Sequence, residues 1–233
     1  MRVFLDIGAH LGETLSVVRA RKWGFDRIVC FEPAAVCWPK IRELADERVE
    51  LCTFGLSDQD QVLTLHNPGS VGASLWAAKD TSELALDCDF RDAAAWFEDN
   101  VVETDTVYAK INVEGAEVGI IGRLAEAGQL GKIDHLLVHF DVRKIPGMEY
   151  LEDQARRQLD EAGIDYQLAG DIQFGGVYRG TRNWLRWVHG NPRIRDLRYK
   201  RIRRAGHAVR LRLYPIKRAV LASRRAGAAD RSQ

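Results

Sequence analysis

The sequence predicts an α/β fold: a mainly parallel sheet of seven strands, helices on both faces, and an antiparallel last strand. Three observations carry this reading. Short apolar runs rich in β-branched residues alternate with helical patterns, as buried parallel strands and their crossovers do. A glycine-punctuated turn, Gly8-Ala-His-Leu-Gly12, follows the first run directly and opens a helix. Polar residues collect at the carboxyl ends of the runs, where open α/β sheets bind ligands.

In order, Val3–Ile7 reads as the first strand and Gly12–Trp23 as the first helix. Arg27–Phe31 and Val49–Phe54 read as the next strands, separated by a helix over Ala34–Ala45. A helix over Phe90–Glu98 precedes the strand Thr106–Val113, and a helix over Val118–Ala127 precedes His135–Phe140. The helix Glu149–Ala162 leads to the strand Tyr166–Ala169. A turn beginning at Gly175 then introduces Asn183–Val188 as the hairpin-like seventh strand.

At 233 residues and 46% hydrophobic, the chain is long enough for one substantial core. Residues 1–190 read as that domain, 191–225 as a basic amphipathic extension and 226–233 as a disordered tail. No apolar run approaches the roughly 18 residues of a membrane span, and the chain enters a strand at once, so a cytoplasmic protein is expected. The four cysteines form no C-x-x-C pair and read as reduced packing residues. The net charge of +1 conceals an asymmetry: Arg193–Arg225 holds thirteen Lys/Arg against one acid, so the remainder of the chain is acidic.

Asp6 ends the first strand two residues before Gly8, with Gly12 behind it. The turn lacks the middle glycine of the dinucleotide fingerprint, which leaves a pyrophosphate grip weakly supported. A carboxylate there suits instead a cofactor with a cationic amino-acid end, and S-adenosylmethionine has one and carries no phosphate. Glu32 ends the second strand roughly 20 residues beyond the turn, where a carboxylate accepts both ribose hydroxyls of an adenosine. Ser57 and Asp58 follow the third strand, Asp58 as acceptor for an adenine amino group or as an Asx-turn residue. In Lys110-Ile-Asn-Val-Glu-Gly-Ala-Glu117, Lys110, Asn112 and Glu114 alternate with Ile111 and Val113 and so share one side of an extended chain. A buried strand carries polar groups in that way when they line a cleft.

Asp6-Ile-Gly-Ala-His-Leu-Gly12, Phe31-Glu-Pro33, Leu56-Ser-Asp58, Gly72-Ala-Ser-Leu75 and Lys110–Glu117, in that order, resemble the FkbM-type methyltransferase family over about residues 3–190. The resemblance implies the Rossmann-like class I methyltransferase fold, S-adenosylmethionine as methyl donor, and a hydroxyl of a sugar or polyketide-like metabolite as acceptor. It implies that Asp6, Gly8 and Gly12, with His10 between them, hold the methionine end, Glu32 the ribose and Asp58 with Ser57 the adenine. Asn112 and Glu114 would face the reacting centre. This chain departs from the family pattern at Asn112, usually Asp, and at His10, often Asn. An amide is no general base. Glu114 and a His139/Asp141 pair, two apart and on the same side of a strand, are the alternatives.

No metal requirement is expected: His66, His135, His139, Asp141 and His189 are scattered without ligand spacing. Asn67-Pro68 and Asn191-Pro192 lack the second proline and aromatic of an amino-methylating motif and read as turns. In the extension, Ile194, Ile202, Ala205, Val209, Leu213, Ile216 and Val220 share one helical sector among arginines. Such a helix lies on an anionic membrane surface, docks on the acidic core, binds a phosphate-rich polymer or stays solvated; the first suits a lipid-linked glycan acceptor at the inner face of the membrane, and nucleic acid ranks lowest. Two alternatives to an O-methyltransferase of carbohydrate or glycolipid-type hydroxyls stay open: a non-catalytic binding protein that kept the cofactor fold, and a nicotinamide-dependent oxidoreductase.

Overall fold

The structure, a computed structural model, describes residues 1–69, 85–113, 115–142, 147–148, 150–172 and 176–190. Glu114, the Gly72–Leu75 motif and the extension from residue 191 lie outside them. The chain divides into two units, Met1–Arg186 and Trp187–Gln233; of the second, only 187–190 are described.

In chain order the elements are β1 (Arg2–Ile7), α1 (Glu13–Val18), β2 (Arg27–Phe31), α2 (Trp38–Leu44), β3 (Val49–Cys52), β4 (Gly55–Ser57), β5 (Gln61–His66) and β6 (Ala85–Asp92). There follow α3 (Ala93–Asn100), β7 (Thr106–Ile111), α4 (Glu117–Glu126), β8 (His135–Val138), α5 (Tyr150–Glu161), β9 (Asp165–Leu168), α6 (Ala169–Ile172) and α7 (Val177–Val188). Six strands form one sheet in the order β3-β2-β1-β7-β8-β9, a doubly wound, Rossmann-like arrangement in which every neighbouring pair is parallel. The order reverses between β1 and β7, where Asp6 and Lys110 stand opposite each other in register.

Alternation along the strands distributes the core to both faces. Val3, Leu5 and Ile7 join Phe97 of α3, Ile120 and Leu124 of α4, and Leu159 of α5 in one cluster. Phe4, on the opposite side of β1, meets Phe25 edge-on at 5.1 Å and Trp184 of α7 at 6.1 Å, while Tyr108 packs against the same Phe25. Local chemistry sets the helix starts. Asp92 caps α3 by accepting from the Ala94 and Ala95 amides, and Arg123 of α4 grips the same carboxylate through two nitrogens.

The six crossover-type strands stand where the apolar runs predict, within a few residues at their ends. The antiparallel seventh strand does not form. Asn183–Val188 belongs to α7, whose buried residues Gly180, Thr181, Trp184 and Leu185 recur at helical spacing. A six-residue window with two tryptophans, a leucine and a valine mimics a strand; the period of 3.6 emerges only when the window opens at Val177. A second sheet, β4-β6-β5, was not anticipated, with β6 running antiparallel to β5 and parallel to β4. It displaces the expected helix start from Phe90 to Ala93. Its signal is the period-two pattern Leu86-Asp87-Cys88-Asp89-Phe90, whose acids face outward while Cys88 and Phe90 are buried.

All four cysteines are buried and free of disulfides. Burial pushes the Cys52 and Cys37 thiols up to about 12 and that of Cys88 up to about 11, so they act as small apolar packing groups. No described helix is long and apolar enough to cross a membrane.

Trp184 is fully buried against Phe4 and Tyr108. Trp184→Ala is expected to lower the unfolding free energy by roughly 3–5 kcal/mol in a denaturant titration. A loss below about 1 kcal/mol, the size of an ordinary surface change, would contradict the placement of α7.

Candidate functional site

The strand order reverses between β1 and β7, and open α/β sheets form their binding crevice beyond the carboxyl ends of the strands at such a point. A cleft of about 210 Å³ occupies it. Gly8, His10 and Glu13 form one side, Glu32 and Pro33 a second, and Lys110, Asn112 and Val113 a third. The small sheet supplies an apolar wall of Gly55, Leu56, Leu65 and Phe90. Gly55 lets this wall close up, because a Cβ there would fall 2.4 Å from the Phe90 ring.

The base of the cleft is a buried ion pair. Asp6 is fully buried, and Lys110 Nζ lies 3.0 Å from its Oδ1, close enough for strong attraction but poorly aimed for a hydrogen bond. The ammonium donates instead to the Gly8 carbonyl at 2.5 Å. Burial raises the Asp6 carboxyl above the ordinary aspartate range, and Lys110 opposes that rise. Gly8 must be glycine twice over: its φ is +84°, and a Cβ would sit 2.1 Å from the Asn112 carbonyl oxygen. The β1 and β7 loops therefore touch backbone to backbone, joined also by the Asn112 amide donating to the Ile7 carbonyl.

Glu32 is held by the main chain. Its Oε2 accepts from the His10 amide at 2.6 Å and its Oε1 from the Ala34 amide at 2.9 Å. Burial raises this carboxyl, and the two amides oppose the rise. With one N–H on each oxygen, lone pairs on both remain for further donors. His10 itself adopts φ +50°, places Nδ1 2.9 Å from Glu13 and Nε2 3.1 Å from the Gly69 carbonyl. Glu13, the first residue of α1, brings a second carboxylate to the cleft at the point where a dinucleotide would place its pyrophosphate.

The loops after β7 and β8 are tied by Glu117. This fully buried carboxylate accepts from the Gly115 amide on one oxygen and from the Asp141 and Val142 amides on the other. Burial raises it, and those amides oppose the rise. His139 Nε2 lies 3.4 Å from Asp141 Oδ1, so the two residues meet, but beyond the end of β8 at Val138 and not on one side of a strand. Neither lines the cleft. Asn112 does, and its Oδ1 is buried with no hydrogen-bond partner among the described residues.

Of the sequence-derived candidates, Gly8, His10, Glu32 and Asn112 line one cleft. Asp6 meets Lys110 instead of opening on the cleft, and Gly12 starts α1 at φ +82° against Leu44. Ser57 and Asp58 bond each other and Gln61 and stand off the lining. Sequence reasoning missed Glu13, legible as the first acid after Gly12, and the Leu65–Phe90 wall, which requires the second sheet. Lys110 was noted for its position on the strand, but its pairing with Asp6 is visible only in the register of β1 and β7.

Lys110→Met would leave Asp6 buried without its cation. The expected destabilisation is roughly 3–5 kcal/mol at neutral pH. Since the Asp6 carboxyl is already raised, its protonated form is tolerated, and the loss should shrink as pH falls through the folded-state value. Denaturant titrations at about pH 5 and about pH 8 check this, and equal losses at both would contradict it.

No family model matches the chain, and no curated protein matches it by sequence. Among solved structures, the chain matches the crystal structure of methyltransferase FkbM from Methylobacillus flagellatus KT with 16% identity and a TM-score of 0.36. The match covers 54% of this chain and 29% of that one, so it spans less than a third of that protein's length.

Proposed function

We propose that the chain is an S-adenosylmethionine-dependent O-methyltransferase acting on a hydroxyl of a carbohydrate or glycolipid-type metabolite. The observation that carries the proposal is the character of the cleft at the β1/β7 reversal. Two carboxylates, Glu13 and Glu32, open on it, and its basic side chains, Lys110 and His10, already face acceptors of the chain itself. A pyrophosphate would meet Glu13 at the start of α1 with neither cation free to neutralise it, which weighs against a nicotinamide dinucleotide. S-adenosylmethionine brings one carboxylate, offset by its own ammonium and sulfonium, so the repulsion it meets there is smaller than that of a pyrophosphate.

The residues fit that cofactor. Glu32, oriented by two amides, would accept the ribose hydroxyls. Asn112 Oδ1, without a partner among the described residues, offers an acceptor for an ammonium or a hydroxyl. Asp6 acts through Lys110, which fixes the Gly8 carbonyl at the methionine end. Asp58, which stands off the lining, is assigned to the adenine edge by the resemblance to FkbM-type enzymes, with Ser57 shaping its turn. When bound, S-adenosylmethionine supplies an electrophilic methyl group on its sulfonium. The work of the protein is then to hold the acceptor oxygen in line, an orientation effect on the order of 7–11 kcal/mol at best. Asn112 would orient the hydroxyl without taking its proton, and Glu114 is proposed to receive it, the His139/Asp141 pair standing off the cleft lining.

Isothermal titration with S-adenosylhomocysteine is expected to give saturable heat that Glu32→Ala weakens at least tenfold, the order of a lost charge-assisted bond. Absence of heat with the folded protein would overturn the proposal. Binding without transfer of labelled methyl to any cell-envelope glycan fraction would favour the non-catalytic reading that Asn112 motivates.

The acceptor is assigned to the small-molecule or lipid-linked glycans, reached through the basic segment Arg193–Arg225, which carries thirteen Lys/Arg. Replacing Arg201, Arg203 and Arg204 by serine is expected to weaken sedimentation with anionic vesicles roughly a hundredfold, at about 1 kcal/mol per charge. Unchanged sedimentation would contradict the membrane assignment.

A further inference from the structure

We propose that His10 is a positioning residue, held as an imidazolium, that clasps α1 and the chain after β5 around the cofactor cleft, so that ligand affinity follows its protonation. The inference rests on the methyltransferase reading only for the identity of the ligand. Its geometric basis is independent. His10 Nε2 lies 3.1 Å from the Gly69 carbonyl, which only accepts, so that nitrogen carries a proton. Nδ1 lies 2.9 Å from Glu13 Oε1, and an ionised carboxylate also only accepts. Both bonds exist together only when the ring carries two protons. The backbone of the same residue donates to Glu32 at 2.6 Å. One residue thus connects the carboxylate after β2, the first turn of α1 and the chain after β5, in a left-handed conformation that a histidine keeps only when its surroundings hold it there.

The charged surroundings favour the imidazolium. The Glu13 hydrogen bond is the largest influence and lifts the ring above the ordinary histidine value, burial opposes it, and the Gly69 bond and the Glu32 charge add to the rise. For Glu13 the largest influence is burial, which raises it, but the His10 bond, its own backbone amide and Lys110 together hold it below the ordinary glutamate range. Lys110 faces Asp6, and the Cys37 thiol ahead of α2, pushed up to about 12, stays neutral at the relevant pH. His66 of β5, three residues before Gly69, is the other imidazole near this loop in sequence. A group raised in the folded state contributes fully below its unfolded value, near 6.5 for histidine, and its contribution is lost as pH rises through the folded value. Above that point the neutral ring keeps a single N–H and one of the two bonds fails.

S-adenosylhomocysteine affinity of the full chain, titrated from about pH 6 to about pH 9, is expected to weaken roughly three- to tenfold, the effect of one hydrogen bond. His10→Asn, which tolerates the left-handed backbone but offers one amide group in place of two ring N–H donors, is expected to bind at the weaker level with a flat profile. His66→Asn is expected to keep the slope. A flat profile in the unaltered chain, or an unchanged slope in His10→Asn, would overturn the clasp. Ring nitrogen shifts measured by NMR without ligand are expected to show His10 doubly protonated at about pH 7, above the ordinary midpoint; a neutral ring there would overturn the clasp as well. If no S-adenosylhomocysteine binds at any pH, the methyltransferase reading falls while the ring shifts still decide for or against the imidazolium.

Discussion

The Asp6–Lys110 pair is the constraint on which the rest of the architecture depends. It bridges the two central strands at the one place in the sheet where the winding reverses, with both partners buried. Taking two charges out of water is expensive, and their attraction offsets that only when geometry is good and further bonds are made. The further bond here is from Lys110 to the Gly8 carbonyl, so the pair also fixes the glycine turn and the contact between Gly8 and Asn112. The floor of the crevice at the β1/β7 reversal is thereby held in place by this one interaction.

Around that base, buried carboxylates serve main-chain amides. Glu32 takes the amides of His10 and Ala34, and Glu117 those of Gly115, Asp141 and Val142. Each joins segments that otherwise present unpaired N–H groups at a strand or helix end. The consequence for chemistry is a division of labour. Glu117 accepts three amides and sets the loops after β7 and β8, whereas Glu32 accepts two and keeps lone pairs toward the cleft. A buried acid beside the sheet is thus either a fastener or a ligand group according to how many amides converge on it.

The parallel sheet was legible because strands buried on both faces read as continuous apolar runs, and Val3–Ile7, Arg27–Phe31 and His135–Phe140 need no partner information to be seen. The small sheet was not, since β5 is half exposed and the acids of β6 resemble a loop. The last helix failed for a different reason: six residues of Asn183–Val188 fit two periods, and only the preceding turn of α7 decides between them. In the site, Glu32 was legible from its distance to the glycine turn. The role of Lys110 was not, because one spacing along a strand is compatible with a cleft residue and with a buried ion pair. Register across β1 and β7 distinguishes them, and register is a tertiary property.

The central claim is that the crevice between β1 and β7 receives an adenosyl group with a cationic tail, with Glu32 on its ribose. A crystal structure grown with S-adenosylhomocysteine tests it most directly. The nucleoside is expected beside Glu32 and the amino-acid end over the Gly8–His10 turn, with the Asp6–Lys110 pair intact beneath. A ligand seated elsewhere, or a phosphorylated nucleotide that displaces the thioether from this crevice in competition, would contradict it.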